Sequence, residues 1–252
     1  MKYSIVIPAH NEEEKIGPFA SRFIDDLTTR MADVEFEFII VENGSTDHTL
    51  EAVRRLEVTY PQWIRVFSNE RGSYGEAIKR GMLESNGAYL SILECDLLDA
   101  KFVAKSVELF RADETRFIVA SKRHPESLDC RPLKRRILTR LFNTIIKVCL
   151  RYPGSDTHGL KSIEKQLAKR LCELALTTDE IFQTEIVLIA WRMGEGIVEL
   201  PIRIEEVRAA TVSIRRRFQM VMDLVRQLRH SLKRFPLRPN GTVRPRSWEV
   251  SR

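Results

Sequence analysis

The sequence is poor in the features that staple, anchor or export a chain. Its 252 residues include only four cysteines, Cys95, Cys130, Cys149 and Cys172, and no two stand at CxxC spacing. Neither a disulfide frame nor a zinc site is therefore expected. Long apolar runs are missing too. The longest, Ile186–Trp191, has six residues, against roughly 18 or more for a membrane-spanning helix. The opening MKYSIVIPAHNEEE has one lysine and a short apolar run that ends in proline and acids. It lacks the pattern of a signal peptide, so a cytosolic chain is expected. Neither GxxxxGK[ST] nor GxGxxG occurs, which disfavours a nucleoside-triphosphatase loop or a dinucleotide fingerprint. There is no internal repeat and no low-complexity segment.

What is present is the balance of a soluble globular chain, 43% hydrophobic and 30% charged. At roughly 100–200 residues per domain, the length allows one large domain, or one with an appendage. A core can form without staples. The net charge of +6 is unevenly spread: from Arg203 onward there are 13 bases against 4 acids, and before it 28 bases against 31 acids. A mildly acidic body with a basic tail suggests a polyanionic partner: an acidic membrane surface, a phosphate-rich substrate or nucleic acid. No nucleic-acid motif appears, and the tail's few aromatics are not interleaved for stacking, so nucleic acid is not expected.

Short β-branched runs alternate with helical patterns through the first half. Strands are read at Tyr3–Pro8, Glu37–Glu42, Ile64–Asn69, Ala88–Leu93 and Phe117–Ser121. Helices are read at Asn11–Arg30, Asp47–Tyr60 (capped by Ser45 or Thr46), Ser73–Ser85 and Lys101–Phe110. This alternation means βαβ units and a largely parallel, doubly wound sheet, an α/β fold. Lys134–Arg151 reads as a helix with Leu138, Leu141, Phe142, Ile145 and Cys149 on one face. From Arg131 to Arg151 there are seven bases and no acid. Two helical segments to about Met193, a strand Gly196–Ile204 and a basic amphipathic helix Ser213–Phe235 follow. The Pro/Arg-rich end is expected to fray. The division is thus a domain over 1–212, a helix over 213–235 and a tail over 236–252.

Ligands of such sheets bind beyond the carboxyl ends of the strands. PAHNEEE follows the first strand, VENGSTDHT the second, ERGSYGEA the third and LECDLLD the fourth. Helix capping and turn chemistry account for much of the first two. Gly72 and Gly75 in the third allow close backbone approach to a ligand. In the fourth, Glu94 and Asp96 at i and i+2 on extended backbone share one side, and two hard oxygen donors there suit Mg²⁺ or Mn²⁺ shared with a diphosphate.

In this order and at these spacings, PAHNE, ENGSTD, RGSYGEA with Gly81, and ECD resemble the family 2 glycosyltransferases, which have the nucleotide-sugar-binding GT-A fold. Ala120–Arg123 (ASKR) resembles that family's Gly-Ser-Arg element, and Ser155–Lys161 (SDTHGLK) its Asp-x-x-x-Gly-Phe-Arg/Lys segment. The stretch FQTEIVLIAWRMGEGIVELPIRIEEVR resembles the end of the fold in dolichol-phosphate mannose synthases. There are two departures. Glu42-Asn43-Gly44-Ser45 stands where the family usually has Asp-Asp-Gly-Ser, and Glu94-Cys95-Asp96 where it usually has Asp-x-Asp. Each keeps an oxygen acceptor on an arm one methylene longer.

The resemblance implies metal-dependent transfer of a sugar, with inversion, from a nucleoside-diphosphate donor. It implies a nucleotide-sugar site of Pro8, Ala9, His10, Glu12, Glu42, Asn43, Ser45, Gly72, Gly75 and Cys95. Glu94 and Asp96 would hold Mg²⁺ or Mn²⁺, and Lys122 and Arg208 would reach the diphosphate. The acceptor stays open. A hydroxyl needs a general base, for which Asp156 or His158 is the candidate. A polyprenyl phosphate is already ionised and needs cations, which Arg123, Arg135, Arg136 and Arg140 supply, with Lys122, Arg131 and Lys134 beside them. The lipid acceptor is the leading reading, with the enzyme peripheral on the cytosolic face of an anionic membrane. The rivals are a soluble hydroxyl acceptor and a non-catalytic nucleotide-sugar-binding relative. A nucleotidyltransferase is disfavoured, since PAHNEEE lacks a Gly-rich basic loop. A homo-oligomer or a separate membrane subunit is left open.

Overall fold

The computed structural model describes residues 1–204, 214–233, 235 and 241–247, with side chains in all of these but 214–220. The chain divides into two compact units, Met1–Ile118 with Leu160–Phe182, and Val119–Gly159 with Gln183–Arg252. In chain order the elements begin β1 (Lys2–Ala9), α1 (Ile16–Arg30), β2 (Glu35–Asn43), α2 (Thr49–Thr59), β3 (Ile64–Asn69) and α3 (Tyr74–Glu84). Next come β4 (Tyr89–Ile92), α4 (Ala100–Arg111), β5 (Phe117–Ser121), β6 (Leu128–Asp129) and α5 (Leu133–Leu150). The rest are β7 (Lys161–Glu164), α6 (Lys165–Leu174), α7 (Phe182–Arg192), β8 (Ile197–Pro201), β9 (Arg203–Ile204), α8 (Ile214–Leu232) and β10 (Val243–Pro245).

In the first unit the strand order is β7-β4-β1-β2-β3. β1 pairs parallel with both β2 and β4, β2 pairs parallel with β3, and β7 runs antiparallel to β4. The α/β architecture with a mostly parallel sheet is therefore as the alternation of elements implies. β1 is buried from Tyr3 to Ala9, as befits a central strand covered on both faces. Pro8 is tolerated there because pairing with β4 has ended at Val6, so no ladder bond on that side needs its missing N–H. α1 buries Ile16, Ala20, Phe23, Ile24 and Leu27, one stripe at helical spacing. Each large side chain in it contributes about 1.5–3 kcal/mol. A polar seam crosses the interior: Tyr3 Oη meets Ser91 Oγ at 2.8 Å, and Ser91 Oγ meets Ser162 Oγ at 2.6 Å. Burial pushes the Tyr3 hydroxyl up to about 12, so it stays protonated.

In the second unit β10 pairs parallel with β8, and β6 with β9. α5 and α8 pack together. Ile146 and Leu150 of α5 are buried, as are Val225, Leu228 and Leu232 of α8.

Several boundaries differ from expectation for physical reasons. α1 starts at Ile16 rather than Asn11 because Asn11 adopts φ 54° and leaves the helical path. α2 starts at Thr49, and neither Ser45 nor Thr46 caps it. The strand read over 196–204 is two strands, separated by Ile202. Within the stretch read as fraying, Val243–Pro245 forms β10, while 236–240 and 248–252 lie outside the described residues.

Candidate functional site

The loops after β1, β2 and β3 are tied to one another. The Asn43 carbonyl accepts from His10 Nδ1 at 2.9 Å. That acceptor fixes the proton on Nδ1 and leaves Nε2 to accept from Asn11 Nδ2 at 3.3 Å. Asn11 in turn donates its N–H to Ser45 Oγ at 3.1 Å and accepts the Thr46 N–H on Oδ1 at 2.9 Å. Glu12, buried, donates its N–H to Thr49 Oγ1 at 2.7 Å. Glu42, also buried, uses both carboxylate oxygens: Oε1 accepts the Ser45 N–H at 2.5 Å and Oε2 accepts from Ser68 Oγ at 2.6 Å. Asn43 Oδ1 accepts the Ser73 N–H at 2.8 Å, which joins the β2 and β3 loops. Gly44 is required twice over. Its φ is 62°, and an added Cβ would stand 2.7 Å from the Gly72 nitrogen.

Pro8 and Ala9 sit buried in β1, opposite Val41 and Glu42. His10, Glu12, Glu42, Asn43, Ser45 and Gly72 thus share one loop cluster. Gly75 has a different neighbour from the ligand expected there. A Cβ on it would stand 2.5 Å from the Thr178 carbonyl oxygen, which accepts the Glu76 N–H at 2.9 Å and the Ser73 hydroxyl. Its missing side chain admits the chain's own 178–179 segment.

The fourth loop corrects the geometry read from the sequence. Glu94 and Asp96 do not share one extended stretch: Glu94 bridges Leu97, whose N–H donates to the Glu94 carbonyl at 2.9 Å, closing a turn with Cys95 and Asp96 at its corners. Glu94 is half-buried and Asp96 exposed. Asp99 is a helix cap, accepting the N–H groups of Lys101 and Phe102 at 2.9 and 3.0 Å. Burial and the Asp96 charge push the Cys95 thiol up to about 12, against the opposing pull of Lys15. The thiol is therefore protonated and inert at neutral pH. Among the described residues no group of three or more His, Cys, Asp and Glu is arranged to hold a metal. The Glu94–Asp96 pair nevertheless fits Mg²⁺ or Mn²⁺, which commonly take one or two carboxylates and complete their shell with substrate phosphates and water.

A second cluster belongs to the second unit. Asp156 is buried; Oδ2 accepts the Lys122 N–H at 3.0 Å and Oδ1 accepts the His158 N–H at 3.0 Å. Burial alone would raise its pKa, but the Lys122 ammonium and these N–H donors hold the carboxyl below its usual range. Lys122 Nζ donates to the His158 carbonyl at 3.1 Å. The His158 ring stands edge-on to Phe142, with centroids 4.9 Å apart, and its Nδ1 meets Thr184 Oγ1 at 3.1 Å. Beneath lies Glu199 of β8. Its Oε1 accepts the Ser155 N–H at 2.7 Å and its Oε2 the Ser155 hydroxyl at 2.7 Å. Burial raises the Glu199 carboxyl above its ordinary value despite these bonds.

Arg123 is exposed just after β5. Arg135, Arg136 and Arg140 lie on α5, the first two half-buried and the third exposed. Arg131, read beside them, forks onto Asp129 at 2.8 Å through both Nε and Nη2. Arg208 lies outside the described residues.

Asn11, Ser68, Ser73 and Glu199 organise these clusters and went unread. Asn11 left a signal, since asparagine enters the left-handed region more readily than most residues. So did Glu199, an acid within the apolar run IVELP. Ser68 and Ser73 left none, because their partners are 26 and 30 residues away.

Comparison with known proteins fits this geometry. The sequence model described as Glycosyl transferase family 2 matches residues 4–169. A dolichyl-phosphate beta-glucosyltransferase, ALG5A of Trichomonas vaginalis, is 26% identical over 238 residues, covering 88% of this chain and 72% of its own length. The dolichyl-phosphate beta-glucosyltransferase of Dictyostelium discoideum is 24% identical over the same shares. The glycosyltransferase AglD of Haloferax volcanii is 26% identical over 204 residues, 80% of this chain; the match spans only 33% of AglD. Among solved structures, glucosyl-3-phosphoglycerate synthase from Mycobacterium tuberculosis, in complex with Mn²⁺, UDP and glucosyl-3-phosphoglycerate, aligns with a TM-score of 0.62 at 17% identity. The alignment covers 95% of this chain and 82% of that one. The same enzyme with Mg²⁺ and UDP aligns at 0.63 and 19% identity, over 95% and 81%. At such identities the likeness establishes the fold.

Proposed function

The chain belongs to glycosyl transferase family 2, and on that premise we propose that it moves a sugar, with inversion, from a nucleoside-diphosphate donor to a polyprenyl phosphate. The relatives' names favour this acceptor and a glucosyl donor, and the UDP in the solved neighbours favours uridine. The first unit is the donor side. The cluster of His10, Glu42, Asn43 and Ser45 supplies fixed polar groups for the nucleoside. Glu94 and Asp96 are the residues that would hold Mg²⁺ or Mn²⁺ with the diphosphate. Such a metal stabilises the charge that grows on a diphosphate leaving group.

The second unit is the acceptor side, and the observation that carries the acceptor reading is the state of Asp156. Both its oxygens accept backbone N–H groups, and its carboxyl is held below the usual range. A carboxylate so stabilised is a weak base. A hydroxyl acceptor needs a good one; a phosphate monoester, with a second pKa near ~6, does not. The acceptor's phosphate oxygen attacks the anomeric carbon as the bond to the diphosphate oxygen breaks, and no proton has to move. Asp156 then fixes the backbone of Lys122 and His158, and Lys122, Arg123, Arg135, Arg136 and Arg140 supply positive charge to the phosphate.

Nucleoside diphosphate release tests this directly. With UDP-glucose and Mn²⁺, a short polyprenyl phosphate in detergent should accelerate release well beyond the rate in water. Glucose, glycerol or an unphosphorylated polyprenol should not. Acceleration by the free alcohols alone would overturn the phosphate acceptor and return Asp156 to the role of base.

A further inference from the structure

Helix α5 carries five bases and no acid over Leu133–Leu150. Its inward side is marked by buried Ile146 and Leu150. At about 3.6 residues per turn, Leu133, Ile137, Leu141 and Val148 form one strip on the opposite side. These four are 66%, 51%, 48% and 72% exposed. Single exposed apolar residues are ordinary, but four on one strip are not scattered. Arg136, Arg140 and Lys147 border the strip on one side, and Lys134 lies at its other edge near the helix start. This differs from the face read in the sequence: Leu138, Phe142, Ile145 and Cys149 are half-buried, while Leu141 stands out with the exposed set.

We infer that this strip of α5 is a seat for an anionic lipid surface, with the four apolar side chains entering the headgroup–acyl boundary and the bordering bases at phosphate level. Charge argues for that occupant. A helix lying in an interface presents an apolar strip between cationic borders, and long basic side chains keep their heads in water while their stems lie along the apolar surface. A second copy of α5 laid on the strip would set bases against bases, which opposes self-association. The inference deepens the proposed function, since a polyprenyl phosphate is itself held in a membrane. Vesicle binding needs neither donor nor acceptor, however, so the two can fail separately.

The test is co-sedimentation of the full chain with vesicles of equal parts phosphatidylglycerol and phosphatidylcholine, without substrates. The wild type should sediment with these vesicles, far less with phosphatidylcholine alone, and less as salt is added. The triple variant Ile137→Ser, Leu141→Ser, Val148→Ser should lose about a hundredfold in partitioning, with circular dichroism and nucleoside diphosphate release in water unchanged. In the separate variant Val148→Trp, the emission gained from the introduced tryptophan should shift to the blue on anionic vesicles, which adhesion by charge alone would not produce. Equal partitioning of the triple variant and wild type would overturn the inference. So would a lipid-free wild-type dimer that the triple variant turns into a monomer, because the strip would then be covered by a second copy.

Discussion

Glu42 and Ser45 are joined by a 2.5 Å hydrogen bond from the Ser45 N–H to Glu42 Oε1, so the loop after β2 folds back onto the carboxylate near the end of that strand. The other oxygen of the same carboxylate holds Ser68 on β3. One buried acid therefore sets the mutual position of two loops.

Glu42→Gln keeps the shape of the side chain but lowers its charge and replaces one acceptor with a donor. Donor binding should weaken by about 1–3 kcal/mol. Calorimetry with UDP and Mn²⁺ measures it, and an unaltered dissociation constant would contradict the assignment.

Gly44→Ala tests the same loops by strain. The substitution asks alanine to hold φ 62° with its Cβ 2.7 Å from the Gly72 nitrogen. It should cost about 1–3 kcal/mol of stability, and donor binding should fall with it. Chemical denaturation of both proteins decides, and equal midpoints would show that the loops can part freely.

Asp96 is exposed on its turn, so Asp96→Ala should leave the melting temperature of the free protein unchanged. Its effect should appear only with ligand. UDP and Mn²⁺ at about 100 times the dissociation constant stabilise a protein by ~2.7 kcal/mol. That increment should be present in the wild type and absent in the variant. A full shift in the variant, or a wild-type shift that survives excess chelator, argues against Glu94 and Asp96 as the metal pair.

The alternation of strands and helices from β1 to β5 was legible because each element carries its own periodicity, and the ends of β1, β2 and β3 marked loops that are tied to one another. The second half was less legible. β7 has four residues and lies antiparallel beside β4, and β10 has three residues that pair with β8; neither strand is long enough to reveal a period. At the site, Glu94 and Asp96 were readable as a pair, but not the turn that holds them, because a single backbone bond to Leu97 decides it. Asp156 was readable as a candidate acid, but Glu199 beneath its loop came from a strand some forty residues on, 44 from Ser155.

Asp156 should also leave a pH signature. Its folded pKa lies below the ordinary 3.8, so the stability it contributes is present above that value and is lost as pH falls through the folded pKa. Asp156→Asn removes that contribution. The variant should be less stable by about 1–3 kcal/mol at neutral pH, and the gap should close in acid below 3.8. Denaturation curves at neutral pH and in acid test the sign. A gap that widens in acid would contradict it.

Neutralising Arg135, Arg136 and Arg140 together with glutamine should depress transfer to polyprenyl phosphate while largely sparing donor hydrolysis by water, which needs no lipid. Each cation near an anionic surface is worth about 1 kcal/mol, falling off within a Debye length. Steady-state rates with and without lipid separate the two effects. Equal losses in both would move these arginines to the donor side.

The acceptor can be identified by mass spectrometry of the organic-phase product. The purified chain is incubated with UDP-glucose, Mn²⁺ and a short polyprenyl phosphate, and the lipid is extracted. The lipid phosphate should gain the mass of one hexose residue, with the sugar in the inverted configuration and the product absent from Asp96→Ala. Unmodified lipid beside a glycosylated soluble alcohol would contradict it.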